Sequence, residues 1–213
     1  MTRPPDSEAL VIKGPVGELQ AILESPRDTE VVATAVVCHP HPLHGGTMNN
    51  KVAHTLARSF VNMNMAALRF NFRGVEKSGG SFDDGRGELD DALAAVSFMR
   101  RRYPSLPLWM GGFSFGAAIA VRAAVEVSAA GLVSVAPAVA RFAGGMTSQP
   151  ACPWLIVQGD ADELVSVDET IDWVNGLDPG PELQVFEDTD HFFHGRLVQL
   201  RNAVEKFCRA NGL

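Results

Sequence analysis

Three separated stretches of this chain carry residue types that together do nucleophilic chemistry. They are Gly112-Phe113-Ser114-Phe115-Gly116, Gly159-Asp160-Ala161-Asp162 and Asp190-His191. A serine hydroxyl is a weak nucleophile that needs a base beside it and hydrogen-bond donors aimed at the oxyanion it creates. The Gly-Phe-Ser-Phe-Gly segment falls directly between an apolar strand candidate and an Ala-rich helix candidate. In that context the serine projects from a tight strand-to-helix turn, and flanking glycines remove side chains that would collide there. Gly111 adds further room. The following helix aims its N-terminal amides and partial positive charge at the site. Ser114 is therefore the expected nucleophile.

A serine so placed takes its acid and its histidine from later loops, in the chain order Ser, Asp or Glu, His, each just past the end of a strand. Past Trp154-Leu155-Ile156-Val157 comes the aspartate stretch, and past Leu183 to Phe186 comes the histidine stretch. Asp162 is the expected acid, because it lies far enough beyond its strand for the loop to turn back. Asp160 is the alternative, and either residue also suits turn chemistry with its own backbone. Asp168 reads as a helix-start residue. His191 is the expected general base, with the acid fixing its tautomer. His194 comes three residues later, near the start of the final helix. Phe192 and Phe193 line a pocket or an interface, or pack into the core.

The other half of an oxyanion site is expected after the first parallel strand, in Cys38-His39-Pro40-His41-Pro42-Leu43-His44-Gly45-Gly46. The backbone matters more than the side chains in this loop. Proline has no N–H, so His41 and Leu43 are the available donors, and His41 is favoured, paired with the N–H of Phe115. One such donor contributes about 3 kcal/mol to the transition state. Three histidines within six residues also suggest a metal. The prolines restrict the backbone and no matching Cys or Glu cluster accompanies them, so no metal or cofactor is expected. Cys38, Cys152 and Cys208 read as reduced, mostly buried thiols.

These groups are positioned by an alternation of short apolar runs and longer amphipathic stretches. It predicts a doubly wound, mostly parallel α/β sheet of about eight strands, with helices on both faces, in a single domain over 1–213. Val11-Ile12 and Leu19 to Leu23 flank Gly14-Pro15-Val16-Gly17 as a leading hairpin. Val31 to Cys38, Ala66 to Phe70, Leu106 to Met110, Gly131 to Val135, Trp154 to Val157 and Leu183 to Phe186 are the buried strands. Helices are predicted over Lys51 to Asn62, capped by Asn49 or Asn50, and over Glu88 to Arg102, Phe115 to Val127, Val167 to Asn175 and Arg196 to Arg209. Only about 15 residues separate the strands ending near Val135 and starting near Trp154. They leave no room for a substantial cap.

A net charge of -7 repels phosphate backbones and anionic lipid. The expected partner is a small-molecule ester, not nucleic acid and not a membrane. The Met1 to Asp6 segment lacks the apolar core of a signal peptide, so the expected location is cytoplasmic, as a monomer or homodimer.

The chain resembles the α/β-hydrolase superfamily, and within it the small lid-free serine hydrolases related to dienelactone hydrolases. The resemblance is carried by Gly112 to Gly116, His39-Pro40, Asn71-Phe72-Arg73-Gly74 with Ser78 and Gly80, Gly159 to Asp162, and Asp190 to Phe193. It implies the Ser114, Asp162, His191 triad and carboxylic ester hydrolysis. Pro40 stands where the family often has glycine, and Ser114 where dienelactone hydrolases proper have cysteine. Arg73 reads as half of a structural salt bridge. The superfamily also holds thioesterases, peptidases and members that only bind.

Overall fold

The computed structural model describes residues 4–138 and 149–212. Its frame is one eight-stranded sheet in the order β1-β2-β4-β3-β5-β6-β7-β8. The strands are β1 (Asp6–Lys13), β2 (Glu18–Ser25), β3 (Ala33–Cys38), β4 (Met65–Phe70), β5 (Leu108–Phe113), β6 (Gly131–Val135), β7 (Trp154–Gly159) and β8 (Glu182–Phe186). β1 and β2 form the leading antiparallel hairpin, and β2 runs antiparallel to β4, with Ala21 opposite Phe70. From β4 to β8 every pairing is parallel.

Every residue of β3, β4, β5, β6 and β7 is buried. That follows from continuous apolar runs, which hide both faces of a strand. The run Leu183 to Phe186, expected to be buried as well, lies in the edge strand β8, where only Phe186 is buried and Val185 is 41% exposed. The helices supply the cover: α1 (Lys51–Asn62), α2 (Arg86–Arg102), α3 (Phe115–Val127), α4 (Val167–Asn175) and α5 (Leu197–Ala210). Leu56 and Phe60 of α1 and Leu200 and Val204 of α5 close one face of the sheet. Leu89 and Met99 of α2, Ile119 and Val121 of α3, and Val174 of α4 close the other. Three helices begin and end where sequence places them, and their caps explain why. The Asn50 side chain accepts the N–H groups of Val52 and Ala53 at 2.9 and 3.3 Å, and Ser166 accepts that of Glu169 at 3.3 Å. α3 starts at the sharp turn of Ser114 itself.

One strand differs from its expected limits in a way that matters. β5 continues through Gly111 and Gly112 to Phe113. A Cβ on Gly111 would come within 2.9 Å of both Leu56 and Phe60. Gly111 is therefore required for α1 to pack closely on the sheet, and the room it makes lies away from the Ser114 turn.

β3 and β5 are neighbours, yet the chain leaves them toward opposite faces, into α1 and α3. A crevice opens at such a switch point, at the C-terminal ends of the strands. The connection from β6 to β7, where no cap is expected, contains residues 139–148, which lie outside the described residues.

Two buried ion pairs brace the loops around this crevice. Arg73 holds Asp91 of α2 in a two-pronged pair at 3.0 and 2.8 Å, and its own backbone N–H donates to the same carboxylate at 2.9 Å. This is the structural salt bridge expected for Arg73. Arg69 pairs with Glu24 at 3.1 Å and donates to the Met48 carbonyl at 2.6 Å. Removing one partner strands a buried charge, so Asp91→Ala should lose roughly 3 to 5 kcal/mol in equilibrium urea unfolding. A loss below 1 kcal/mol would show that the Arg73 guanidinium finds water instead.

Candidate active site

Ser114 sits one residue past β5 with φ 56° and ψ −120°, a strained positive-φ conformation that costs a residue with a Cβ on the order of 1–3 kcal/mol. Its backbone N–H is held by the Val135 carbonyl at 2.9 Å. The two glycines around it are sterically required. A Cβ on Gly112 would overlap the Gly116 carbonyl, and one on Gly116 would overlap the carbonyls of Cys38 and His39. The turn is thus pressed against the end of β3, where the His39 to Gly46 loop begins.

The imidazole of His191 lies between the two expected partners. Its Nε2 is 3.0 Å from Ser114 Oγ, and its Nδ1 is 2.8 Å from Asp162 Oδ2. A carboxylate only accepts, so Nδ1 carries the proton and Nε2 offers its lone pair to the serine hydroxyl. The ring is buried and lies on the Phe113 ring, centroids 4.9 Å apart. The His191 backbone N–H donates to the Glu163 carboxylate at 3.3 Å, a second tie between the two loops that sequence reading did not find.

Asp162 is anchored from several sides. Its Oδ1 accepts the N–H groups of Leu164 and Val165 at 2.9 and 2.7 Å, and its Oδ2 also accepts the Gln158 amide at 3.0 Å. Burial works against its charge. The hydrogen bonds from His191 and from the Val165 and Leu164 backbone outweigh it and hold the carboxyl below its ordinary range. Asp160 stays exposed at the turn, its N–H bonded to the Phe186 carbonyl at 3.1 Å. A Cβ on Gly159 would overlap the Thr189 carbonyl, so this glycine is what lets the loops after β7 and β8 touch. Asp168 lies in the first turn of α4.

His194 is kept out of the site by Asp190, whose carboxylate takes its ring at 2.6 Å and its N–H at 3.0 Å. The two phenylalanines divide. Phe193 adopts φ 55° and turns its ring into the core beside Phe186, whereas Phe192 remains 41% exposed at the rim of the cleft. The cleft above Ser114 encloses about 500 Å³ and is lined by Pro40, His41, His44, Asn50, Leu164 and Phe192, among others. That is a small-molecule volume.

In the loop after β3, Pro42–His44 forms a short 3-10 turn. The Leu43 N–H is committed to His41 Nδ1 at 3.2 Å, and the Leu43 side chain is 68% exposed. The side chain that sequence reading undervalued is His39. Its ring is fully buried, with Nδ1 2.6 Å from the Pro40 carbonyl oxygen and Nε2 3.1 Å from the Phe72 backbone nitrogen. A carbonyl only accepts and a backbone N–H only donates, so the tautomer is set with the proton on Nδ1. His39, His41 and His44 do not converge: His39 points inward, while His41 and His44 line the cleft with ring centroids 4.6 Å apart. Among the described residues, no group of three His, Cys, Asp or Glu side chains is placed to hold a metal ion. No helix among them is long and apolar enough to cross a membrane. The Cys38 thiol is fully buried, and burial first, with Asp91 adding to it, pushes its pKa far above the ordinary value.

Residues 33–147 match the profile of a family described as serine aminopeptidase, S33. The chain belongs to that family, within the α/β-hydrolase superfamily. An α/β serine hydrolase homologue from Coxiella burnetii is 43% identical, with a TM-score of 0.90 over 93% of this chain and 96% of its own. An α/β serine hydrolase without a lid from Xanthomonas campestris is 40% identical, with a TM-score of 0.92 over 99% of this chain and 97% of its own. An uncharacterized protein from Rickettsia prowazekii is 34% identical over 185 residues, 81% of this chain and 77% of its own.

Burial, against the bond to the Pro40 carbonyl, pushes the His39 pKa down to about 4. In the unfolded chain it titrates near 6.5. Between those values the unfolded state binds more protons, so His39's contribution to stability is complete above pH 6.5 and is lost as pH falls toward 4. Across that window wild type should lose about 3 kcal/mol more than His39→Asn in urea unfolding. Parallel pH curves for the two proteins would show that the buried ring protonates freely.

Proposed function

We propose that this S33-family hydrolase cleaves small or short-chain carboxylic esters through an acyl-enzyme on Ser114. The observation that carries the reading is the unbroken hydrogen-bonded run from Ser114 through His191 to Asp162. Ser114 Oγ attacks the ester carbonyl carbon while its proton passes to His191 Nε2. The carbonyl π electrons move to oxygen, and the backbone N–H groups of His41 and Phe115 stabilise that oxyanion. Asp162, held ionised, stabilises the imidazolium and keeps its Nδ1 proton pointing away from the serine. The tetrahedral adduct then collapses, the C–O bond to the alcohol breaks, and His191 returns the proton to the leaving oxygen. Water repeats the sequence on the acyl-enzyme, releasing the acid and restoring Ser114.

The size of the cleft and the lidless Xanthomonas relative support a short acyl group in an open site. Peptides with a free N-terminus are the competing substrates. That reading is favoured by the family's description and by Glu169, a carboxylate residue among those lining the cleft.

An organophosphonate probe should add covalently to Ser114, as read by peptide mass spectrometry, and Ser114→Ala should abolish both labelling and nitrophenyl ester hydrolysis. Asp162→Asn should lower kcat about 10⁴-fold, with Asp160→Asn close to wild type. Nitrophenyl acetate and butyrate should outpace the decanoate. A higher kcat/KM on aminoacyl anilides than on these esters would move the assignment to aminopeptidase.

A further inference from the structure

The peptide that joins Pro40 to His41 is held by the side chain in front of it. His39 Nδ1–H donates to the Pro40 carbonyl oxygen at 2.6 Å. In a planar trans peptide the carbonyl and the N–H point in opposite directions. Fixing the Pro40 carbonyl therefore fixes where the His41 N–H points. Pro40 and His41 both line the cleft over Ser114, whereas the His39 ring lies fully buried behind them. From this geometry we propose that His39 is a positioning residue of the oxyanion site, setting the direction of the His41 N–H through the Pro40 carbonyl.

The ring can do this because it is itself held at its far side. Nε2 accepts the Phe72 N–H at 3.1 Å, and the Phe72 ring lies 4.7 Å from the imidazole. Both neighbours of Phe72 are fastened. Asn71 Oδ1 accepts the Met48 N–H at 2.8 Å, and Arg73 is bound to Asp91 by side chain and backbone. The Asn71-Phe72-Arg73-Gly74 segment thereby acquires a role: it is the fixed wall from which the oxyanion loop is aimed. Pro40 makes the arrangement stiffer, because its ring fixes φ and only the direction of the following peptide remains to be set.

The inference rests on the esterase reading, and the two fail differently. An oxyanion donor acts on charge that develops only in the transition state, so its loss lowers kcat and leaves KM nearly unchanged. With nitrophenyl butyrate, His39→Ala should lower kcat roughly 100-fold, with KM within about 3-fold of wild type. Asparagine places an amide near the Nδ1 position and restores the bond to Pro40, whereas glutamine reaches the Nε2 position and restores only the tie to Phe72. His39→Asn should therefore recover most of kcat, and His39→Gln should remain near the alanine level. If His39→Ala does not fold, as judged by circular dichroism and melting, the asparagine and glutamine pair carries the same comparison. A loss expressed mainly in KM, a kcat within about 3-fold of wild type, or equal recovery by both amides would overturn the positioning role alone. A wild-type protein that neither hydrolyses the ester nor reacts with a phosphonate would overturn the esterase reading, and this inference with it.

Discussion

The imidazole of His191 is gripped on both edges, by the Asp162 carboxylate at 2.8 Å and the Ser114 hydroxyl at 3.0 Å. Its backbone is gripped a third time by Glu163. These bonds join the ends of β5, β7 and β8, three places far apart in sequence that the parallel sheet brings to one edge. Each bond would be weak between mobile chains in water, where partners exchange for solvent at little net gain. Here the ring is buried and its partners are anchored by bonds of their own. Asp162 is held by two backbone N–H groups, and Ser114 is wedged into a turn whose glycines leave no alternative path.

The same logic extends outward to the scaffold. The strained backbone at Ser114 survives because the surrounding core over-determines it: β5 is wholly buried, and α3 is apolar along its buried length. The loop after β3 is set against this turn by the contact between Gly116 and the Cys38 and His39 carbonyls. Behind it, His39, Phe72, Asn71 and the Arg73–Asp91 pair form a continuous polar support inside an apolar core. Such support is rigid only while every member is paired, and among the described residues no buried side-chain nitrogen or oxygen lacks a hydrogen bond.

Much of this architecture could be read from the residues, for identifiable reasons. Buried parallel strands write themselves as short apolar runs, so the strand cores from β3 to β7 stood out; the run Leu183 to Phe186 looked the same but forms the edge strand β8, because nothing local says that no further strand pairs beyond it. Asn50 marked the start of α1 because an N-cap is a local interaction, whereas at α4 Asp168 drew attention as the helix-start residue and the cap is Ser166, two residues earlier. The Ser, Asp, His order located the site because the chemistry constrains residue type and strand context together. What escaped depended on distant partners. Two glycines in a row read as the end of β5, although Gly111 serves the packing of α1, some 50 residues away. Phe193 follows Phe192 directly, and only its left-handed φ sends the two rings to opposite environments. His39 looked like loop backbone, because its partner at Phe72 lies 33 positions on and belongs to another strand's end. The position of β4 between β2 and β3 has no local signature at all.

In the proposed reaction the Ser114 oxygen is the nucleophile, and the His41 and Phe115 amides face the oxygen it creates. A crystal structure of the protein after reaction with a small alkyl phosphonate puts this arrangement to the test. Phosphorus should be bonded to Ser114 Oγ, with the phosphonyl oxygen about 3 Å from both backbone nitrogens and His191 still bonded to Asp162. A phosphonyl oxygen turned to solvent, or an adduct on another residue with Ser114 unmodified, would contradict it.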